Sequence, residues 1–278
     1  MRQLVRVAVD LLLEAARRRW FLALFGGITL VLLVLGFSLE LDVVDGALAG
    51  SKLFGALLFD DVVSASRALS GVSLAVAYVA FYGGAFFLAV ACSDFAPELL
   101  SPGRIEHLLS LPIARWQLLF GTYLGVLTLT AAGILYGAAG LTVLLGVKTG
   151  LWSHTLLLGS SVGLVGFAAL YAVMVCVTFF VRSAAVSGAV GLSTLVLGVL
   201  ASFRETLTAL MEPGLARTLT GWALVPLPRL GSLATVSARI AAEQPLEGEV
   251  VSRLVAGCGL FSVAMLALAA WRFERMDF

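Results

Sequence analysis

The feature that most limits what this chain can fold into is a set of long apolar runs. They lie at 20–39, 70–92, 118–147, 154–181, 184–203 and 250–271, and their interiors contain no Asp, Glu, Lys or Arg, the one charged residue in any of them being Arg253 in the first turn of the last. About 20 such residues in a helix cross a hydrocarbon core of about 30 Å. In that core a backbone must satisfy its own amides and carbonyls, which a helix does within one segment. The expectation is an all-α integral membrane protein with six transmembrane helices forming one domain over 1–278. Composition agrees: 60% of residues are hydrophobic and only 13% charged, where a soluble domain carries about 25% charge.

The segments between the runs have distinct characters. In 1–19, Arg2, Arg6, Asp10, Glu14 and Arg18 recur every four residues, opposite Leu4, Val7, Ala8, Leu11, Leu12 and Ala15. That pattern predicts an amphipathic helix lying on the membrane surface. A secretory signal would have a shorter apolar core with a small-residue cleavage site close behind. Here the run is longer, and Ala47-Leu48-Ala49 lies beyond Glu40, Asp42 and Asp45, so the first run reads as an uncleaved anchor. The mixed segment 40–69 is expected to be an outer loop with a short interfacial helix around 53–63. Segment 93–117 is a polar interruption between the second and third spans. Segment 204–250 contains Glu212-Pro213-Gly214, Pro226, Pro228 and Gln244-Pro245. It is expected to be extracytoplasmic, made of short helices broken by prolines.

Basic residues beside the spans set the orientation. With the amino terminus inside, Arg2, Arg6, Arg17, Arg18, Arg19, Arg104, Arg115, Arg182, Arg272 and Arg275 are inside. Lys52, Arg67, Lys148, Arg204, Arg217, Arg229, Arg239 and Arg253 are outside, on much longer segments. Trp20, Trp116 and Trp271 fall at inner edges; Trp152 and Trp222 lie at or beyond outer edges, as interfacial anchors do. Both termini and 93–117 are therefore expected to face the cytoplasm.

Several function classes find no support. A net charge of +1, without a basic patch interleaved with aromatics, gives no sign of nucleic-acid binding. Cys92, Cys176 and Cys258 are far apart and read as small apolar fillers. An ionised group inside a span costs about 2.5–3.5 kcal/mol on insertion scales, so it is kept for a purpose. Without one, a stand-alone secondary carrier or channel is the weaker alternative. A lipid-acting membrane enzyme is weaker still. No HExxH or GxSxG motif occurs, His154 sits at a span edge, and Ser160-Ser161 has no nearby base. Gly146-Val147-Lys148-Thr149 lacks the adjacent Gly-Lys of a phosphate loop. Gly121/Gly125, Gly133/Gly137 and Gly159/Gly163 are GxxxG pairs suited to close helix approach, within one subunit or across a dimer seam.

The stretch 99–125, LLSPGRIEHLLSLPIARWQLLFGTYLG, looks built to meet another protein. Ser101 can cap a helix and Pro102 suits a first helical position. Ile105, Leu108 and Leu109 share one face, and Leu111-Pro112 closes the segment. A helix over 102–110 is too short to be stable alone in water, which points to docking in a partner's groove. Ile105, Leu108 and Leu109 are expected to carry most of that contact, flanked by Arg104 and Glu106, with His107 on the same helix.

This stretch resembles the first cytoplasmic loop of the type-two permeases of ATP-binding-cassette exporters. Gly103, Glu106, Leu108, Leu109, Ser110, Pro112, Arg115 and Gly121 match that family's pattern. Arg104 stands where threonine is usual and Thr122 where lysine is usual, and Glu98 is the nearest acidic residue before the glycine. The ending Phe273-Glu-Arg-Met-Asp-Phe278 also resembles these permeases. In length and in 204–250 the chain looks most like the permease of the nitrous-oxide-reductase maturation transporter and its gliding-motility relatives. The resemblance implies a non-catalytic, multi-pass subunit of the prokaryotic cytoplasmic (inner) membrane. The helix at 102–110 would be its coupling helix. Gly103, Arg104, Ile105, Glu106, His107, Leu108, Leu109, Pro112 and Arg115 would meet an ATPase subunit. This chain would bind no cofactor or metal; ATP and Mg would sit on the ATPase. The implied partners are that ATPase, a second permease subunit in a homodimer in preference to a heterodimer, membrane lipid, and an extracytoplasmic protein at 204–250.

Overall fold

The computed structural model describes residues 7–13, 20–44, 47–53, 56–59, 63–110, 113–150, 152–212 and 214–276. Of these, 20–22, 39–69 and 109 are described through the backbone alone. The expected polar positions at Arg2, Arg6, Glu14 and Arg17 to Arg19 lie outside the described residues, as does Pro112.

The chain opens with a helical segment at 7–13 (α1) and helix α2, Trp20–Ser38. Four strands follow: β1 Leu39–Val44, β2 Ala47–Leu53, β3 Ala56–Phe59 and β4 Val63–Ser64. Then come α3 Ala65–Ala91, α4 Phe95–Leu99, α5 Arg104–Ser110, α6 Arg115–Thr149, α7 Thr155–Val181 and α8 Ala184–Ser202. The chain finishes with α9 Arg204–Leu210, α10 Leu215–Leu224, α11 Leu230–Ala241 and α12 Gly248–Glu274. Among the described residues, five helical stretches are long and apolar enough to cross a membrane: Ser70–Leu99, Arg115–Thr149, Thr155–Val181, Ala184–Ser202 and Gly248–Glu274. The protein is a helical, multi-pass membrane protein. At about 1.5 Å per residue, α6 is about 52 Å long, well beyond a hydrocarbon core.

The strands correct the expected interfacial helix at 53–63. Antiparallel β1 and β2 pair from Leu39↔Leu53 to Val44↔Ala47. β3 and β4 take successive parts of the other edge of β2, pairing Ser51↔Phe59 and Ala47↔Ser64. The physical reason is visible in hindsight. Leu39-Glu-Leu-Asp-Val alternates with period two, and Asp45-Gly46 is a strong hairpin signal.

Helix α7 is the hub, because its neighbours surround it. Phe167, Leu170, Tyr171, Met174 and Phe179 on it are all buried, and α3, α6, α8, α11 and α12 all pack on it. The glycine pairs serve this packing within the chain. Gly125 faces Ala8 and Leu11 of α1, Gly133 faces Leu24 and Gly137 faces Ile28 of α2, and Gly163 faces Phe81 of α3. Gly159 meets the Ser237 carbonyl, so closely that a Cβ there would lie 2.6 Å from that oxygen. Of the two uses open to these pairs, helix contact inside one subunit is the observed one.

Segment 204–250 does form short helices, but α11 is not a surface element. Leu230, Leu233, Ala234 and Ala238 are at most 1% exposed. Its first turn lies against Gly166 of α7 and Gly198 of α8. Its last turn lies at Thr155, whose hydroxyl donates to the Ala241 carbonyl at 3.2 Å. Gly166 is eleven residues beyond Thr155, about 16 Å along α7. So α11 enters about two fifths of the way down α7 and rises back to its end. Ser237 donates to the Gly159 carbonyl at 2.8 Å and Ser70 to the Ala242 carbonyl at 2.8 Å. One face of α11 is therefore interior, whereas Thr235 and Arg239 on its other face, residues 243–245 and much of α9 and α10 stay open to the surroundings.

Candidate functional site

The polar interruption 93–117 folds as two short helices on the end of the bundle where α3 and α12 finish and α6 begins. Helix α3 stops at a turn over Cys92, Ser93 and Asp94, and α4 follows with Phe95, Ala96 and Leu99 buried. Sequence reasoning missed α4, because five residues containing a proline give no usable periodicity. The chain then turns through Ser101, Pro102 and Gly103. Gly103 has φ 79°, in the left-handed region that a side chain makes costly. For that reason α5 starts at Arg104 and not at Pro102. The expected serine cap is replaced by the Ser101 carbonyl, which accepts from the Ile105 amide at 3.2 Å, and the Gly103 carbonyl, which accepts from His107 at 3.2 Å. At the far end, the Ser110 hydroxyl donates to the His107 carbonyl at 2.7 Å.

The side chains of α5 divide into two sets. Ile105 is only 2% exposed and belongs to the chain's own core, and Leu108 is packed against that core. The expected apolar contact with a partner is thus corrected for Ile105: it is used to seat α5 on the bundle. Glu106, His107, Pro102 and Gly103 face outward. Arg104 is half-buried, with Nη1 3.9 Å from Oε1 of Glu98. The Leu109 side chain and Pro112 are outside the described residues.

Arg115 occupies a place that spacing does not reveal. It is the first residue of α6, and its Nη1 donates to the carbonyls of Phe273 at 3.0 Å, Glu274 at 3.2 Å and Met276 at 2.7 Å. These are carbonyls at the carboxy-terminal end of α12, where a helix has free acceptors and favours a cation. The guanidinium carbon lies 5.9 Å from the centre of the Phe273 ring. Phe273 is fully buried and meets Phe179 of α7 at 4.8 Å between ring centres. The start of α6 and the end of α12, separated by some 150 residues, are therefore in direct contact. Arg115, expected as a partner contact, makes these hydrogen bonds within its own chain.

Next to this contact the entry to α6 is stiff. The Gln117 side chain accepts from the Ala114 amide at 3.1 Å, and the Ala114 carbonyl accepts from Gln117 at 2.9 Å. Two further arginines lie over rings at the same end, Arg272 5.5 Å from the centre of Phe180 and Arg275 4.3 Å from that of Trp271. Among the described residues no three His, Cys, Asp or Glu side chains gather as metal ligands would. The surface presents an acidic and an imidazole side chain on a short seated helix, beside a cluster of arginines. No family model matches the chain, and no curated protein matches it significantly.

Proposed function

We propose that the chain is the membrane-spanning permease subunit of a type-two ATP-binding-cassette exporter, or of a force-transmitting relative. In this reading six helices cross the membrane: α2, α3 with α4, α6, α7, α8 and α12. Helix α1 lies at the inner surface. Both termini and α5 are cytoplasmic, in the inner membrane of a prokaryote. A separate ATPase binds ATP and Mg and docks against Glu106 and His107, with Pro102 and Gly103 at its margin. A second copy of the chain completes the transporter. The subunit itself is non-catalytic and couples hydrolysis to export or to force on an outer partner.

The observation that carries the reading is the seating of α5. The motif-bearing segment is a short helix fixed to the core by Ile105, with its polar residues turned outward and a span directly attached at Arg115. A buried aliphatic side chain of this size contributes about 1.5–3 kcal/mol, enough to hold so short a helix as a lever. The test is to co-express the chain with an ATP-binding protein found encoded in a neighbouring frame and measure co-purification and ATPase stimulation. A Glu106→Lys, His107→Glu pair of changes is expected to abolish both while membrane insertion and yield stay normal. Unchanged stimulation would remove the reading.

A further inference from the structure

Arg115 has a consequence beyond a docking surface. Helix α12 packs extensively on α7 but only sparsely on α6. At the end that carries α5, the Arg115 guanidinium bridges from the first residue of α6 to three carbonyls around the end of α12. Helix α5 ends only five residues before Arg115, and Ala114 is already locked into the entry of α6 by Gln117. Ile113, packed against the core, and Ala114 are thus fixed at this lock.

We infer that Arg115 is a positioning residue that makes the feet of α6 and α12 move as one body, so that displacement of α5 is delivered to the last helix as well as to the helix it is joined to. Alternative routes are poorer. The continuous route through α4 to α3 passes the turn at Cys92, Ser93 and Asp94, where the regular helix is interrupted. Helix α7 receives α5 motion only through side-chain packing. The bridge is made of charge-assisted hydrogen bonds, which are shorter and stronger than neutral ones. It also occupies carbonyls that a helix end would otherwise leave to water. Use of this bridge to transmit force rests on the permease reading; the bridge itself does not.

The experiment therefore needs no ATPase. Spin labels are placed at His107→Cys and Glu274→Cys, both exposed, in the full chain reconstituted in lipid nanodiscs. The three native cysteines are buried and stay unlabelled. A control pair joins His107→Cys to Val181→Cys at the end of α7. With Arg115 present, the 107–274 distance distribution is expected to be narrow. Arg115→Gln should widen it at least twofold and leave the 107–181 distribution unchanged. Arg115→Lys, which keeps a cation and donors, should fall between. An unchanged 107–274 distribution in Arg115→Gln overturns the inference. Equal widening of both pairs also overturns it, since that would mean general loosening. Absence of any ATPase partner would sink the permease reading and leave these distances as they are.

Discussion

The two polar segments between the long helices, 93–117 and 204–250, begin from similar sequence and end differently. Each contains prolines, glycines and short helices. In 93–117 the apolar side of α5 goes inward and its charged residues go outward. In 204–250 the labour is divided between helices. Helix α11 is swallowed by the bundle, while α10 is turned inside out, with Leu215, Leu219 and Trp222 all at least 68% exposed. The side of α10 nearer the chain has Gly221 beside Thr208. An apolar stripe turned away from its own chain suits a lipid-facing environment, whereas a seated helix with polar residues outside suits water and a protein partner. The difference teaches that a helical period in sequence identifies a face but not what the face meets.

This contrast can be broken by mutation, and the largest effect is expected at the seat of α5. Ile105→Ala should lower unfolding stability in detergent by about 2–5 kcal/mol, the usual range for emptying a buried aliphatic site. A loss under 1 kcal/mol would mean that α5 is not seated as described. Next comes the insertion of α11. In Gly159→Val the added atoms collide with the Ser237 carbonyl, a rigid backbone group, and overpacking of this kind costs about 1–3 kcal/mol. Proteolysis within 225–245 should become several-fold faster, reporting that α11 has been displaced. If cleavage there is unaffected, α11 is not held by that crossing.

A smaller effect is expected from Ser237→Ala, which deletes the hydrogen bond to the Gly159 carbonyl and should cost about 1 kcal/mol. The smallest belongs to α10. Leu219→Asn should change stability by less than about 0.5 kcal/mol, because the side chain touches little of its own chain. Binding of the chain to lipid should nonetheless weaken, read as faster extraction by mild detergent. A large stability loss from Leu219→Asn would show that α10 packs as α5 does, and the contrast would disappear.

Much of the helical plan was legible from residues alone. Charge-free runs of about 20 residues have one stable solution in a hydrocarbon core, so α6, α7, α8 and α12 lie where the runs lie, within three residues at either end. The turn at Arg182-Ser183 was equally clear and is seen, with Arg182 at φ 51°. The small sheet was legible in principle from the period-two alternation of 39–43. At the candidate site, the short helix and its apolar face were readable, and its starting residue was not. A left-handed Gly103 between Pro102 and Arg104 moves the start by two residues.

By itself the sequence determined the chemistry of each segment: which stretches must leave water, which can make a helix, and which residues carry charge at the ends. Those are local properties, set by side-chain solvation and backbone hydrogen bonding over a few turns. Only the tertiary structure decided that Ile105 faces inward, that α11 enters the bundle, and that Arg115 grips the end of α12. The last two depend on surfaces brought together from positions 78 and 158 residues apart, and packing energy at such distances has no trace in the spacing of neighbouring residues.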